Sequence, residues 1–369
     1  MLNDRHLIVF SQTAGKYSDN ARALFEYCIK NDTEFRVIWL YQGSLNMLND
    51  HHLSIPTSSF IRMYSLKGAF VSLRAKYFVV SHGTGDMGLY KSSAKKVINV
   101  WHGTPIKGIG LYEKFSNKRF ISNEISYYDT FVTASHVEAS CMISAWGIDH
   151  NKVVITGLPR NDCFFTSSRN IEPKILDKLG VKGKKLVLYS PTFRDNGCSV
   201  DFFPYHDNKL DPLVKILKSN NAVILMRPHQ NDKKSISKLK KIVSEHPDVF
   251  FLLDQYTLSD INQITNYLDV LITDYSSIYL DTLLNNVPVI FIPYDYSSYT
   301  IDRDFIYDYD AVTPGPKVIN KVEFENALLD ALETGGIIWK AHRNWVNRMF
   351  HHYLHGGACE RVIDKIRTL

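Results

Sequence analysis

The sequence predicts an α/β protein built from two parallel-sheet domains, each covered by helices on both faces. Three observations predict this class. Short runs of β-branched and aromatic residues alternate with helix-like segments along the 369 residues, which is typical of βαβ construction. Several of these runs are apolar on both faces, as parallel strands between helices are. The length is more than twice that of a typical domain of roughly 150 residues.

The first domain is predicted over residues 1–170. Its strands are expected at 7–10, 35–40, 77–81, 96–101, 130–134 and 153–156, with a helix over 20–30. Ser, Asn, Pro and Gly residues then punctuate 161–183, which places a boundary near 165–180. The second domain is predicted over 171–345, with strands at 185–190, 222–227, 249–253, 270–273 and 287–292. Residues 346–369 form a final segment with a short helix over 362–366.

Composition excludes several classes of protein. Apolar residues make up 45% and charged residues 22%, which is globular rather than disordered or fibrous. The 43 Lys and Arg exceed the 38 Asp and Glu by five, a mild basic excess that suits an anionic substrate or membrane surface. Five scattered cysteines, Cys198 among them, indicate neither a disulfide framework nor a zinc site. The sequence shows no signal peptide or membrane span, so we expect a cytoplasmic protein, at most peripheral at the inner face of the membrane.

Polar motifs follow the predicted strands in both halves of the chain. They are HGTG at 82–85, WHGTP at 101–105, SPTFRD at 190–195, RPHQND at 227–232 and TDYSS at 273–277. Ligands of parallel sheets bind beyond the carboxyl ends of the strands. This distribution therefore favours an enzyme with a cleft over a nucleic-acid-binding or membrane-binding module, for which basic residues in one stripe with exposed aromatics are expected.

His102 is the candidate general base. It directly follows a buried strand and precedes Gly103, which lets backbone approach a ligand, and the ordinary pKa of histidine suits proton transfer near neutral pH. Lys107 is a nearby candidate contact for an anion. The alternative is a histidine with only a structural role in its loop.

The segment from Asp274 to Ser277 is a candidate phosphate site. Ser276 or Ser277 is expected to cap a helix over 278–284 while hydroxyl and backbone N–H groups face an anion, although plain helix capping explains serines here as well. Asp281 lies about one turn further along and is placed to reach a ribose diol, or else is a solvated helix carboxylate.

Other strand ends and the C-terminal segment add candidate phosphate ligands. Arg227 and His229 are expected to donate to a diphosphate, with His229 offsetting charge on a departing phosphate. Arg194 is a candidate phosphate clamp beside the hydrogen-bonding Thr192. Near the C-terminus, the glycines at 356–357 would let backbone N–H groups approach a phosphate and Arg361 would supply charge. The alternatives are a surface arginine with a proline turn, and a helix that stops and restarts.

Two basic stretches are interpreted first as solvated surface. Residues 107–119 carry lysines and Arg119 among Tyr112, Phe115 and nearby Phe120, which would also suit anionic lipid or a lipid-linked acceptor. Residues 233–241 carry five lysines and predict an amphipathic helix with a solvated face.

Together these motifs resemble the CDP-glycerol glycerophosphotransferase family, the membrane-associated enzymes of teichoic-acid and related capsule synthesis. The resemblance covers nearly the whole chain. It rests on GKYSDNARAL at 15–24, WHGTPIK at 101–107, SPTFR at 190–194, RPH at 227–229, TDYSS at 273–277, YD at 294–295 and GGACER at 356–361. One departure is His355, where the family usually has an acidic residue before the glycine.

The resemblance implies a GT-B-like pair of Rossmann-like domains, in which residues 1–170 form the acceptor-binding domain and residues 171–345 the nucleotide-binding domain. It also implies that the C-terminal helix crosses back to the N-terminal domain. It implies transfer of glycerol phosphate from CDP-glycerol to a hydroxyl of a lipid-linked or polysaccharide acceptor, with CMP released and no obligatory metal or other cofactor. His102 would be the base, and His229, Ser276, Ser277 and Arg361 would bind the diphosphate. The remaining implied substrate contacts are Gly103, Thr104, Lys107, Thr192, Arg194, Arg227, Asp274, Asp281 at the ribose, and Glu360.

Two rival activities keep this architecture. One uses CDP-ribitol as the donor, and the other is an ordinary GT-B glycosyltransferase with a nucleotide sugar. The paired histidines and the serines at 276–277 favour phosphodiester chemistry, but no residue distinguishes glycerol from ribitol.

Overall fold

The computed structural model describes residues 4–31, 33–43, 55–114, 116–166, 174–194, 202, 204–205, 209–229, 232–302 and 304–369. The chain forms two compact units. Unit 1 comprises Met1–Pro105, Ile109–Thr166 and Met349–Leu369, and unit 2 comprises Ile106–Gly108 and Ser167–Arg348. Phe115, Cys198, the last residue of the SPTFRD motif and part of the expected boundary segment lie outside the described residues.

Each unit is built on one parallel sheet. The strands of unit 1 are β1 (Asp4–Phe10), β2 (Arg36–Tyr41), β3 (Phe60–Arg62), β4 (Ala75–Val80), β5 (Lys96–Asn99), β6 (Tyr128–Thr133) and β7 (Val153–Ile155). Those of unit 2 are β8 (Lys185–Ser190), β9 (Ala222–Met226), β10 (Phe250–Leu252), β11 (Val270–Thr273) and β12 (Val289–Phe291). The orders are β3-β2-β1-β4-β5-β6-β7 and β10-β9-β8-β11-β12. Both reverse beside their first strand, as Rossmann sheets do.

Thirteen α-helices lie between or after these strands among the described residues. They are α1 (Asp19–Lys30), α2 (Leu66–Arg74), α3 (Lys118–Ile125), α4 (His136–Trp146), α5 (Lys174–Lys178), α6 (Asp211–Ser219), α7 (Lys233–Glu245), α8 (Ile278–Thr282), α9 (Tyr296–Asp302), α10 (Tyr309–Val312), α11 (Lys321–Thr334), α12 (Lys340–Phe350) and α13 (Ala358–Arg367). The predicted strands all have counterparts, and the structure adds β3. The lysine-rich helix α7 buries Leu239 and Ile242 and leaves most of its lysines exposed.

Strand β1 shows why the sheet of unit 1 must be covered on both sides. Ile8 and Phe10 belong to the apolar cluster on one face, and Leu7 and Val9 belong to the cluster on the other. Successive side chains of a strand point to opposite faces, so an uninterrupted apolar run needs two apolar layers. The sheet of unit 2 has a core of its own, in which strand residues such as Ile224 pack with α6, α7 and α11.

The C-terminal segment returns to unit 1. Val362, Ile363 and Ile366 of α13 are buried in the same cluster as Ile8 and Phe10. The predicted crossing back of the last helix is confirmed, although the helix begins at Ala358 rather than at residue 362. Among the described residues, none of the helices combines the length and the apolar character that spanning a membrane would require.

Candidate functional site

His102 lies in the loop that leaves the carboxyl end of β5 in unit 1. Its Nδ1 lies 3.1 Å from the carbonyl oxygen of Ser81. A carbonyl only accepts, so Nδ1 carries the proton and donates it, and in the neutral ring Nε2 is left as an acceptor. The imidazole also stacks on His82, with ring centroids 4.3 Å apart and planes inclined by 7°. The structure thus fixes both the tautomer and the plane of the candidate base.

The surroundings of His102 keep its ring neutral. Burial lowers the pKa of His102 from 6.5 to about 4, and the neighbouring His82 acts in the same direction. Asp19 opposes this shift, and Arg160 adds a smaller lowering effect. Because a base must be unprotonated to accept a proton, His102 is ready for this role throughout the neutral range.

The HGTG loop that carries His82 is anchored by two acidic residues. One oxygen of Asp86 accepts the backbone N–H groups of Ser81 (3.0 Å) and His82 (2.9 Å). Glu124 accepts the hydroxyl of Thr84 at 2.6 Å and also its backbone N–H. The carbonyl of Ser81, which orients His102, therefore belongs to a loop that is held at both ends.

Three of the sequence motifs meet in a buried cluster of unit 2. Arg194 of the SPTFR motif donates from Nε and Nη2 to the two carboxylate oxygens of Asp295, at 2.7 and 3.0 Å. Its Nη1 lies 2.9 Å from Oδ2 of Asp274 in the TDYSS motif. Tyr275 donates its hydroxyl to Asp295 (2.8 Å), and its ring lies under the Arg194 guanidinium. Because two carboxylates already engage Arg194, its contacts favour a structural role over the expected phosphate clamp.

Asp274 ties the ends of β8 and β11 together. It is fully buried, and its Oδ1 accepts the backbone N–H groups of Thr192 (2.8 Å) and Tyr275 (2.6 Å). These contacts of Oδ1 favour a structural role for Asp274 over the expected substrate contact. What this arrangement fixes is the position of Thr192 and of the segment that leads to Ser276.

Arg227 is also engaged within unit 2. Its Nη1 donates to the carbonyl oxygens of Leu253 (2.8 Å), Asp254 (3.0 Å) and Leu258 (2.5 Å). These contacts favour a role in tying β9 to the segment after β10 over direct donation to a diphosphate. His229, two residues on, instead packs against Phe193, with ring centroids 4.8 Å apart.

The serines of the TDYSS motif stand before α8, which has only five residues. Ser276 Oγ accepts the backbone N–H of Ile278 at 3.4 Å, whereas Ser277, the residue that precedes the helix, makes no side-chain capping bond within the described structure. Ser276 and Ser277 are half-buried. Asp281 is only 3% exposed, so the alternative of a solvated helix carboxylate is wrong.

The C-terminal glycine motif belongs to unit 1. Asp162 accepts the backbone N–H groups of Ala358 and Cys359, at 2.8 Å each. At these two positions a carboxylate of the protein, rather than a phosphate, accepts the N–H groups. Arg361 donates to the carbonyls of Thr156 (2.8 Å) and Gly356 (3.1 Å). Because carbonyl groups are neutral, these two bonds do not offset the positive charge of Arg361. Glu360 is exposed.

The candidate residues are divided between the two units. Unit 1 contains His102, Gly103, Thr104, Glu360 and Arg361, and unit 2 contains Lys107, Thr192, Arg194, Arg227, His229, Asp274, Ser276, Ser277 and Asp281. Across the described part of the chain, no three His, Cys, Asp or Glu side chains are grouped as a metal ion would need. Sequence reasoning assigned no role to Asp19, Asn20 or Arg160, which surround the His102 loop; the SDN motif at 18–20 was the available signal.

Comparisons with known proteins agree with the predicted family. A family model described as CDP-glycerol:poly(glycerophosphate) glycerophosphotransferase matches residues 1–368. The chain is 30% identical over 350 residues to the teichoic acid glycerol-phosphate transferase of Staphylococcus aureus (strain NCTC 8325 / PS 47), covering 90% of this chain and 84% of that protein. It is 29% identical to the teichoic acid poly(glycerol phosphate) polymerase of Bacillus spizizenii (strain ATCC 23059 / NRRL B-14472 / W23), covering 84% and 79%.

Two further comparisons bear on the donor and on the fold. A teichoic acid ribitol-phosphate polymerase of Staphylococcus aureus (strain NCTC 8325 / PS 47) is 30% identical, over 74% of this chain and 48% of that protein. The solved structure of the wall teichoic acid polymerase TagF superposes with a TM-score of 0.81 at 24% identity, covering 99% of this chain and 89% of that chain. This likeness confirms the predicted GT-B-like α/β fold class.

Proposed function

Because the chain belongs to the CDP-glycerol:poly(glycerophosphate) glycerophosphotransferase family, we propose that it transfers glycerol phosphate from CDP-glycerol to a hydroxyl of a teichoic-acid-type acceptor. The observation that carries the chemistry is the state of His102. Its Nδ1 proton is held by the carbonyl of Ser81, and its ring is neutral at physiological pH. Nε2 is therefore an unprotonated acceptor, as a general base requires.

In the proposed step, Nε2 of His102 takes the proton of the acceptor hydroxyl. The hydroxyl oxygen forms a bond with the β-phosphorus of CDP-glycerol, and the bond from that phosphorus to the bridging oxygen breaks. CMP leaves with the electron pair, and the acceptor gains a glycerol-phosphate unit through a phosphodiester. Such reactions are accelerated mainly by positioning and by stabilisation of charge on the phosphoryl oxygens.

The proposed phosphate ligands are His229, Ser276, Ser277, Lys107 and Arg361. Hydroxyl groups and cationic side chains are the groups that bind phosphate oxygens, and charge-assisted hydrogen bonds are the stronger ones. Thr104 and Thr192 are proposed as hydrogen-bonding contacts, and Asp281 as the contact of the ribose. No metal or other cofactor is part of the proposed step.

A second candidate function differs only in the donor. Identity of 30% to a ribitol-phosphate polymerase supports CDP-ribitol as an alternative. The experiment offers the purified protein CDP-glycerol, CDP-ribitol and nucleotide sugars, each with lipid-linked and polysaccharide acceptors, and measures nucleotide release and product mass. We expect CMP release and a mass gain of one or more glycerol-phosphate units. Release of UDP alone from a nucleotide sugar would overturn the proposal in favour of a glycosyltransferase.

His102→Ala and His102→Asn test the assignment of the base. We expect both variants to fold and to lose at least about 100-fold in kcat, within the usual contribution of general base catalysis. His136→Asn is the matched control, since this histidine lies at the start of α4 in the same unit. Near-normal transfer by His102→Ala would show that another group takes the proton.

We also propose a peripheral contact with anionic lipid through α2. This helix buries its small residues Gly68 and Ser72 and exposes Leu66 (93%) and Phe70 (59%), the reverse of an ordinary surface helix. Lys67 on the same helix is exposed, and a basic residue beside exposed apolar side chains suits an anionic bilayer surface.

Sedimentation with vesicles tests this contact. Vesicles rich in phosphatidylglycerol are expected to bind the protein, and vesicles of phosphatidylcholine alone are expected to bind it weakly. Leu66→Ser with Phe70→Ser should release the protein, while Ile338→Ser, at a 78% exposed position of unit 2, should not. Equal binding of all three proteins would exclude α2 as the contact.

A further inference from the structure

The loop that carries His102 is held by residues from two segments far away in the sequence. Asn20 is fully buried at the start of α1, and its Nδ2 donates to the carbonyls of Val100 (3.0 Å) and Trp101 (3.1 Å). Its Oδ1 accepts the backbone N–H of Arg160 at 3.1 Å. One amide side chain thus joins the start of the loop after β5 to the segment that follows β7.

Arg160 extends this connection to His102 itself. Its Nη1 donates to the backbone carbonyl of His102 at 3.0 Å and to Oδ1 of Asp19 at 2.7 Å. The side chains of Arg160 and Asp19 are 9% and 13% exposed, so the pair is largely shielded from water. One nitrogen of the guanidinium, Nη1, therefore bonds both the peptide carbonyl of the candidate base and the carboxylate of Asp19.

The backbone around this contact adopts unusual conformations. Asp19 has φ +66° and Trp101 has φ +52°, and both values lie in the left-handed region that residues other than glycine rarely adopt. Gly103 has φ +123°, and a Cβ atom there would lie 2.6 Å from Nη2 of Arg160. Strained residues persist only where the surroundings over-determine them, and such residues concentrate at functional sites.

We propose that Arg160, fixed by Asp19 and Asn20, is a positioning residue that sets the orientation of the His102 imidazole. The inference rests on the proposed function, because it takes His102 to be the base. The backbone carbonyl of His102 accepts a hydrogen bond from Arg160, and its Nδ1 donates one to the carbonyl of Ser81. His102 is therefore restrained at both its backbone and its ring. When a base is already held in its reactive orientation, aligning it adds little to the activation free energy of the reaction.

The opposite charges of Arg160 and Asp19 indicate that the pair acts on His102 by positioning it rather than by changing its pKa. The charged or titratable groups that act on His102 come from three segments: His82 from the HGTG loop, Asp19 from α1 and Arg160 from the turn after β7. Asp19 raises the pKa of His102 and Arg160 lowers it, so the two effects oppose each other. Both acceptors are bonded by Nη1, whose two N–H bonds lie in the rigid guanidinium plane and point in fixed directions, whereas the ammonium of lysine rotates on a flexible stem.

Arg160→Lys is the decisive variant, since it keeps the charge and removes the fixed directions of the two Nη1–H bonds. We expect kcat for glycerol-phosphate transfer to fall on the order of 100-fold while KM for CDP-glycerol changes less than about threefold. Arg367→Lys is the matched control: this arginine of the same unit pairs with Glu34 on the surface, 45% and 41% exposed, and should keep its activity. A kcat for Arg160→Lys within threefold of the unaltered protein would overturn the proposal.

A second readout does not depend on activity. In protein labelled with ¹⁵N-histidine, the NMR signals of His102 are identified as those missing from the spectrum of His102→Asn. These signals are expected to report a single Nδ1–H tautomer. Arg160→Lys and Asp19→Asn should mix the two tautomers, whereas a merely structural role would lower the melting temperature and leave the tautomer unchanged. If His102→Ala retains transfer, the proposed base fails; if it loses transfer but Arg160→Lys changes neither kcat nor the tautomer, only the positioning role fails.

Discussion

Replacing Arg194 by methionine should destabilise unit 2 strongly. The substitution keeps most of the side-chain volume and removes the cation between Asp274 and Asp295. Arg194 is 5% exposed and Asp274 is fully buried, so neither group can recover its hydration without opening the structure. Removing one partner of a buried ion pair costs about 3–5 kcal/mol. Asp295 is 23% exposed and water reaches it more easily, which places the expected loss near the lower end, at about 3 kcal/mol.

Urea unfolding and thermal melting followed by circular dichroism measure this loss. A destabilisation of about 3 kcal/mol lowers the melting temperature of a unit of this size by roughly 6–12 °C. Lys218→Met is the control, because Lys218 and Asp248 form a surface pair, 56% and 54% exposed, that is worth about 0–1 kcal/mol. Adding Asp274→Asn to Arg194→Met should recover part of the loss, since the buried charge left without its partner is then removed. A loss for Arg194→Met no larger than that of the control would refute the reasoning.

Three further predictions follow from unit 1. The pKa of His102 falls from 6.5 in the unfolded chain to about 4 on folding, so the unfolded state binds more protons between these two pH values. The stability that the neutral His102 contributes is therefore complete above pH 6.5 and is lost as the pH falls towards 4. Urea titrations should therefore show the difference in unfolding free energy between the unaltered protein and His102→Asn shrink by on the order of 3 kcal/mol from pH 7 to pH 4, and an unchanged difference would contradict the assigned burial. Gly103→Ala places a Cβ against Arg160 at a positive φ and should lower both stability, by about 1–3 kcal/mol, and kcat, whereas Gly85→Ala, which meets no atom within 4 Å, should lower neither. Asp162→Ala removes the acceptor of two N–H groups of α13 and should cost about 0.5–2 kcal/mol in thermal unfolding, against no measurable change for Asp364→Ala at the exposed end of the same helix.

The strands could be predicted because their physical signal is local. Runs such as Leu7–Phe10 are apolar at every position, and the structure places alternate residues in separate clusters on the two faces of the sheet. Strand β3 (Phe60–Arg62) was not predicted, because three residues at a sheet edge are too few to show the two-residue period of a strand. The final helix was predicted too short because its first turn, Ala358 to Arg361, looks like a loop after two glycines, and its cap is supplied by Asp162, nearly 200 residues earlier.

The chemistry of the candidate site was only partly readable. Residue type and position after a strand identified His102, but its tautomer depends on the carbonyl of Ser81, which no spacing reveals. The same limitation applies to Arg194, which looked like a phosphate ligand because its carboxylate partners are 80 and 101 residues away. An arginine after a strand indicates a cation at the sheet edge, and only the fold decides whether a ligand or the protein's own groups engage it.

The place of α13 has a consequence for synthesis on the ribosome. Unit 2 is nearly continuous in sequence, from Ser167 to Arg348, whereas the core of unit 1 includes Val362, Ile363 and Ile366. On the face around Ile8 and Phe10, residues of α1 such as Leu24 and Phe25 already pack when the first half of the chain emerges, but the apolar surface that α13 covers stays open while all of unit 2 is made. Exposed apolar surface of this kind favours association with chaperones or with other chains. Replacing Ile363 and Ile366 of α13 by serine should thus impair the folding of unit 1 before that of unit 2.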